Sequence, residues 1–484
     1  MKYYFLGIDI GTQGARVVLI DHTGAVISSK EESFPLSDHS REEQSPDLWW
    51  RSCLQSIKNL LNEVRGGIDL QAIMAVSVTS TSGTIIPIDR NNEPLHPAIM
   101  YSDGRSVEAA RLCTQVARSE QREGYTSFNT SSGLAKMVWF VQQYPEKAAK
   151  LFKFIHAADF IIGKLSGNFN TTDYTNALKS GYDVHQNRWP SYIWQKLPLQ
   201  QEWLQEVVPS GRPVGTVVPE LAAELGLSSL LKVVSSMTDG CASQIASGAV
   251  SPGDWTTTIG TTMVVKGVTT KAVEDPEGRL YSHRHPEGFW MPGGASNTGA
   301  DWVTRLFHTD LGLLNERASH MIPTNHIAYP LIQKGERFPF VAPHAEGFWP
   351  KEIDDAALFA SCMEGVAYLE RYAYEMIEEL SGEQVHAVYT AGGGSNSDTW
   401  LVIRANVLNR PVYKMKHTSG AIGAAVLAAS KTYYGSINEA AKALTKKERD
   451  IYPSKEMAVL YELNYQKFKN ILLNKGYIRQ HHYA

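Results

Sequence analysis

The sequence predicts an α/β protein of two lobes, each a mixed sheet with flanking helices. Three observations predict it. The chain has 484 residues, more than one domain at about 150 residues per domain. Strand-type and helix-type periodicities alternate along it, as in folds whose helices cover sheets. A strand–Gly-Thr–strand unit occurs twice, about half a chain apart, which suggests two related lobes rather than a solenoid.

In order, residues 4–10 and 15–21 are apolar strands around a polar tip, Gly11-Thr12-Gln13-Gly14, and so form an antiparallel hairpin. Over 46–63, Leu48, Trp49, Cys53, Ile57, Leu60 and Leu61 recur near helical spacing. Strands are read at 72–79 and 84–89, and helices at 133–143 and 157–165. A strand at 231–234 leads through Met237-Thr238-Asp239-Gly240 into a small-residue helix at 242–250. The second hairpin spans 254–266, with its tip at Gly260-Thr261-Thr262. A long helix is read at 355–380, then a strand at 385–390 that enters Gly392-Gly393-Gly394, then a helix from Trp400. The charged tail after Lys431 reads as helical. The lobes are therefore set at 1–246 and 247–484, with a hinge at 245–251 about which the lobes are expected to close on their ligands.

Composition excludes several function classes. Hydrophobic residues are 43% and charged residues 20%, an ordinary globular balance. Lys plus Arg number 46 against 50 acids, a net charge of −4, which gives no support for a nucleic-acid-binding surface. No apolar run is long enough to span a membrane, and Asp9 breaks the opening run, which reads as a strand and not a signal peptide. Cys53, Cys113, Cys241 and Cys362 are isolated, so a reducing cytoplasm is expected.

Three motifs carry chemistry. Gly11 and Gly14 let backbone amides approach an anion, Thr12 and Gln13 add polar donors, and Asp9 is placed to hold a divalent cation directly or through water. The same tip also reads as a routine hairpin turn. Asp239, between a strand and a helix, reads as a base for a substrate hydroxyl or as a helix N-cap. The run Gly392-Gly393-Gly394-Ser395-Asn396 admits a flat base or ribose against bare backbone, though such turns recur in many α/β folds.

Together these segments resemble the FGGY family of carbohydrate kinases, within the actin-like, ribonuclease-H-like ATPase superfamily. Gly7-Ile8-Asp9-Ile10-Gly11-Thr12-Gln13-Gly14-Ala15-Arg16 resembles the family's first phosphate motif, and Glu43-Gln44 with Pro46, Trp49 and Trp50 its first helix approach. Tyr101-Ser102-Asp103-Gly104-Arg105 is similar to its Trp-x-Asp-x-Arg sugar segment. Gly260-Thr261-Thr262 is similar to its second phosphate turn, and the runs at 293–299 and 392–394 to its later nucleotide-side segments.

The resemblance implies ATP-dependent phosphorylation of a sugar hydroxyl, with Mg²⁺, small molecules as partners, and a homodimer as the assembly it admits. It implies Asp239 as catalytic base, with Asp9 and Asp239 as the metal carboxylates. It implies Asp9, Gly11, Thr12, Gln13, Gly260 and Thr261 at the ATP phosphates, and Gly393, Gly394 and Asn396 at the adenosine. Ser82, Gly83, Asp103 and Asp239 would meet the sugar. Xylulokinase-like sequences carry Gln-Met-His-Gly where this chain has Thr81-Ser82-Gly83-Thr84. That turn and the run from Thr172 to Asp183 look more like D-ribulose kinases, so D-ribulose is the expected acceptor and D-xylulose the next. The alternatives are an ATP-binding switch or sugar sensor without phosphotransfer, and a kinase for another polyol or a sugar acid. Elsewhere, His283-Arg284-His285 is expected on an exposed hairpin, Trp49, Trp50 and Trp139 mainly in cores, and His481-His482 in a solvated tail.

Overall fold

The computed structural model describes residues 2–120 and 124–479, so His481 and His482 lie outside the described residues. It divides into two units. One comprises residues 1–246, 283–288 and 417–445, and the other 247–282, 289–416 and 446–484. The first unit thus recruits a helix from far along the chain, Gly420–Ser430, in which every residue is buried.

Two close approaches show how that helix is held. A β-carbon at Gly7, in strand Tyr4–Ile10, would lie 1.9 Å from the carbonyl oxygen of Ala421. One at Gly423 would lie 1.9 Å from the carbonyl oxygen of Ala242. Both glycines are bare because backbone passes over backbone.

Both units are built on one strand plan. In the first, Val26–Ser33, Gly14–Asp21, Tyr4–Ile10, Ile73–Ser80, Lys232–Val234 and Pro213–Thr216 lie side by side. Their pairings run antiparallel, antiparallel, parallel, parallel, antiparallel. In the second, Trp290–Ser296, Met263–Gly267, Asp254–Ile259, Ala387–Ala391, Val412–Met415 and Lys447–Ile451 follow the same order of directions. The repeated hairpin of the sequence is the start of a repeated sheet.

Helices cover these sheets with the expected faces. Pro46–Val64 starts at Ser45, whose hydroxyl accepts from the Leu48 amide, and Pro46 suits the first turn. It buries Trp49, Cys53, Ile57, Leu60 and Leu61. In the second unit Asp355–Ser381 ends at Gly382, whose φ of 68° suits glycine. Glu370 on that helix pairs with Arg404 on Asp398–Leu408, both side chains 0% exposed. Arg404 also donates to Thr390 Oγ1 at 2.6 Å, so the buried pair is tied to the strand that ends at the triple glycine.

Two readings need correction. His283, in strand Tyr281–Arg284, and His285, just beyond it, are both buried. The charged tail is not helical throughout: Lys447–Ile451 pairs as an edge strand with Val412–Met415 between two helices. Its Lys-Glu-Arg-Asp composition suits an exposed edge that must not recruit another strand. Trp49 is buried, and Trp50 packs against the same core. Among the described residues no helix is long and apolar enough to cross a membrane.

Candidate active site

In the first unit, register alone gathers the polar residues. Asp9 is opposite Thr79 on the neighbouring parallel strand, and Thr79 is opposite Met237 on the next. Asp239 follows immediately and opens helix Asp239–Ala246. Asp9, Thr79 and Asp239 therefore stand at the carboxyl ends of adjacent parallel strands, where open α/β sheets bind ligands. The tip beyond Asp9 is closed by the Gly11 amide on the Gly14 carbonyl at 3.0 Å. Its outer side is braced: Gln44 Nε2 donates to the Thr12 carbonyl at 3.0 Å, and the Phe34 amide to the Gln13 carbonyl at 2.8 Å. Gln44 is itself fixed by the Trp49 indole, which donates to its Oε1 at 2.9 Å. A β-carbon at Gly420 would lie 2.7 Å from Asp9 Oδ2, so the helix recruited from residue 420 onward starts against this carboxylate.

Burial, and after it the charge of Asp239, push the Asp9 carboxyl up from 3.8 to about 7. Arg16 acts in the opposite direction and Glu31 adds to the rise. Two carboxylates with incompletely balanced charge are a donor set for a hard divalent cation whose shell water and phosphate oxygens complete. The residues present fit such an ion. No cluster of three or more metal-capable side chains occurs among the described residues.

The shift has a consequence for stability. A carboxyl raised by folding costs nothing while both states are protonated. The cost grows as pH climbs through the interval from 3.8 to about 7, because only the unfolded chain ionises there, and it is constant above. Asp9→Asn removes that titration. The variant should therefore gain on the parent from about pH 4 to about pH 8, by roughly 2–4 kcal/mol at the upper end. Thermal unfolding across that interval checks this, and a difference that does not vary with pH refutes it.

Gly83 has φ +86°, and a β-carbon there would lie 2.1 Å from the Ser131 carbonyl oxygen, so only glycine fits. The neighbouring Ser82 hydroxyl is buried with no partner among the described residues, the condition of a group that waits for a ligand. Thr84 Oγ1 accepts from the Tyr101 amide at 3.1 Å and joins this turn to the Asp103 segment. Asp103 is held from within. Arg105 Nε reaches both its carboxylate oxygens at 3.0 Å, and the Arg105 amide reaches Oδ1 at 2.8 Å. Arg105 also donates to Glu43 at 2.7 Å and lies over the Trp139 ring. Lys136 is fully buried, donates to the Thr130 carbonyl, and is lowered to about 8 by burial, with Asp103 opposing.

In the second unit, the Gly260 amide donates to the Thr262 carbonyl at 3.0 Å, which leaves Thr261 exposed at the tip. The Ala300 amide donates to the Gly260 carbonyl at 2.7 Å, and a β-carbon at Gly299 would lie 2.5 Å from the Thr262 carbonyl carbon. Segment 296–300 therefore clamps the tip. Glu336 grips that segment through Ser296 Oγ, the Asn297 amide and Thr298 Oγ1 at 2.7–2.9 Å. The three consecutive glycines differ. Gly392 has φ +82° and meets the Ile259 backbone, and Gly394 packs on Ile259 and Trp400. Gly393 has open space where a side chain would be, and Asn396 is exposed.

Gln44, Gly420 and Glu336 were not singled out as site residues. The family resemblance covers Gln44 without giving it a role, and nothing in the sequence around Gly420 or Glu336 signals one.

Residues 4–246 match the N-terminal domain of the FGGY family of carbohydrate kinases, and residues 255–432 its C-terminal domain. The chain is 25% identical to a xylulose kinase of Bacillus subtilis, over 97% of this chain and 96% of that one. It is 26% identical to a gluconokinase of Bacillus licheniformis, over 88% and 87%. A solved xylulose kinase from Rhodospirillum rubrum has a TM-score of 0.83 at 23% identity, covering 98% of this chain and 100% of that one. The fold is thus the two-lobed α/β fold of actin-like ATPases.

Proposed function

Because this chain belongs to the FGGY family of carbohydrate kinases and is an ATP-dependent sugar kinase, we propose that it phosphorylates a pentulose, D-ribulose before D-xylulose. The observation that carries the reading is the register-driven assembly of Asp9, the Gly11–Gln13 tip and Asp239 at adjacent strand ends. In the first unit Asp239 takes the proton of the sugar hydroxyl. Gly11, Thr12 and Gln13 hold phosphate, and Asp9 with Asp239 holds Mg²⁺. The ion, when bound, supplies positive charge against the phosphate oxygens. In the second unit Gly260 and Thr261 hold phosphate, and Gly393, Gly394 and Asn396 border the adenosine.

Ser82, Gly83 and Asp103 orient the sugar. The unpartnered Ser82 hydroxyl supports this role, as does the small size of the turn around it. The oxygens of Asp103 keep lone pairs for a sugar hydroxyl beyond those Arg105 uses. The four cysteines are buried and form no disulfide, which fits the cytoplasmic location we assign. A switch without phosphotransfer does not suit a member of this family.

One observation favours a second acceptor class. Buried Lys136 lies near Asp103, and the Lys179 Cδ methylene lies 3.7 Å from the β-carbon position of Gly83. Two lysine side chains near the acceptor turn suit a carboxylate, hence a sugar acid. Coupled ADP release over D-ribulose, D-xylulose, D-gluconate and glycerol decides between them. We expect the highest kcat/KM with D-ribulose. A maximum with D-gluconate would select the sugar acid, and no pentulose-dependent ADP release would end the first reading.

A further inference from the structure

The strand that delivers Asp239 is irregular immediately before it. Val233 pairs with Val76, but Met237 pairs with Thr79. Three residues lie between partners on one strand and two on the other, so a one-residue bulge precedes the carboxylate. A bulge turns the residues after it to a new direction, and here it sets where Asp239 points.

The bulge is pinned from a buried carboxylate. Asp173 is fully buried. Its Oδ1 accepts from the Thr175 amide and hydroxyl at 2.7 Å each, and from Ser210 Oγ at 3.0 Å. Its Oδ2 accepts from Asn176 Nδ2 at 2.6 Å and from Ser236 Oγ, inside the bulge, at 2.7 Å. Thr175 Oγ1 gives its proton to Asp173 and in turn accepts from the Thr238 amide at 2.9 Å. Ser236 and Thr238 are thus both tied to one carboxylate, one of them through a hydroxyl relay. The neighbouring Ser235 hydroxyl donates to the Pro209 carbonyl at 2.8 Å and accepts from the Arg212 amide at 3.0 Å.

We propose that Asp173 and Thr175 are positioning residues for Asp239: they lock the bulge that aims its carboxylate at the acceptor hydroxyl. The proposal rests on the reading of Asp239 as the base. Only a carboxylate accepts all five bonds without a donor conflict, and only a hydroxyl at 175 can both give to Asp173 and accept from Thr238. Valine matches threonine in shape but does neither. Serine does both.

The test uses Thr175→Val, Thr175→Ser, Ser236→Ala and Asp239→Asn in the full chain, each checked by thermal unfolding. A displacement near 1 Å at a reacting group costs up to about 10²-fold. Thr175→Val is expected to lower kcat roughly 10–10²-fold, with KM for sugar and for ATP within about threefold. Thr175→Ser should stay within about threefold of the parent, and Ser236→Ala should lose kcat in the same direction as Thr175→Val. In the Asp239→Asn background, Thr175→Val should add no further loss, because it acts through the missing carboxylate.

Parent-like kcat in folded Thr175→Val, equal losses in the valine and serine variants, or additive losses in the double variant would each overturn the proposal. If Thr175→Val does not fold, Ser236→Ala decides: parent-like turnover there overturns it as well. Near-normal turnover in Asp239→Asn would instead remove the base reading on which the proposal rests.

Discussion

Asp239→Asn is expected to lower kcat by roughly 10²–10⁴, the range for loss of a general base, while the dissociation constant for ATP changes little. Asparagine keeps the shape and the hydrogen-bonding reach but cannot take the proton of a sugar hydroxyl. The competing account, a helix cap, makes the opposite forecast, since asparagine caps as well as aspartate and activity would survive. Asp239 is the first residue of helix Asp239–Ala246, and its Oδ1 accepts from the adjacent Gly240 amide at 2.6 Å. The substitution also removes a negative charge that helps push the Asp9 carboxyl up to about 7, so Asp9 should titrate lower in the variant. Steady-state kinetics, calorimetry with ATP and thermal unfolding test these points together. Turnover near that of the parent would return Asp239 to a structural role.

Much of this site was legible in the sequence because hairpins announce themselves. Apolar runs on either side of a Gly-Thr tip have one economical solution, and both hairpins formed as read. Helix Pro46–Val64 was legible from its apolar stripe. What escaped is physically of three kinds. Helix Gly420–Ser430 is apolar on every side, so it has no stripe, and periodicity cannot separate it from any other buried run. Glu336 lies in an irregular stretch, where an acid ordinarily signals solvent, yet it gathers Ser296, Asn297, Thr298 and Tyr329 around one buried carboxylate. The Thr171–Ser180 region is rich in threonine, serine and asparagine and reads as a loop, though most of it is buried and mutually bonded. Polar residues that satisfy one another inside a fold leave no periodic trace. These are also the residues that brace the second Gly-Thr tip and the segment before Asp239.

Gly260→Val is expected to raise the ATP dissociation constant at least about tenfold, equivalent to about 1.4 kcal/mol, with little change in thermal stability. The two halves of that forecast have separate grounds. Stability should hold because the fold does not need glycine there. The backbone of Gly260 is outside the left-handed region, and the nearest heavy atom to a β-carbon would be the Thr262 carbonyl oxygen at 4.0 Å. Backbone strain therefore does not explain the glycine. Gly267, at the end of the returning strand, is the contrast: a β-carbon there would meet the Trp255 ring at 2.1 Å. Its bareness is accounted for by packing, whereas the space over Gly260 is accounted for by nothing in the protein. Affinity should fall because close approach of backbone amides to phosphate tolerates no branched side chain in between. Sugar affinity, which we propose is set in the first unit by Ser82, Gly83 and Asp103, should be nearly unchanged. Calorimetry with ATP and, separately, with D-ribulose measures both. An unchanged ATP dissociation constant in a folded Gly260→Val protein would show that this tip does not hold the nucleotide. Loss of stability together with loss of affinity would show that the open space over Gly260 is needed by the fold itself.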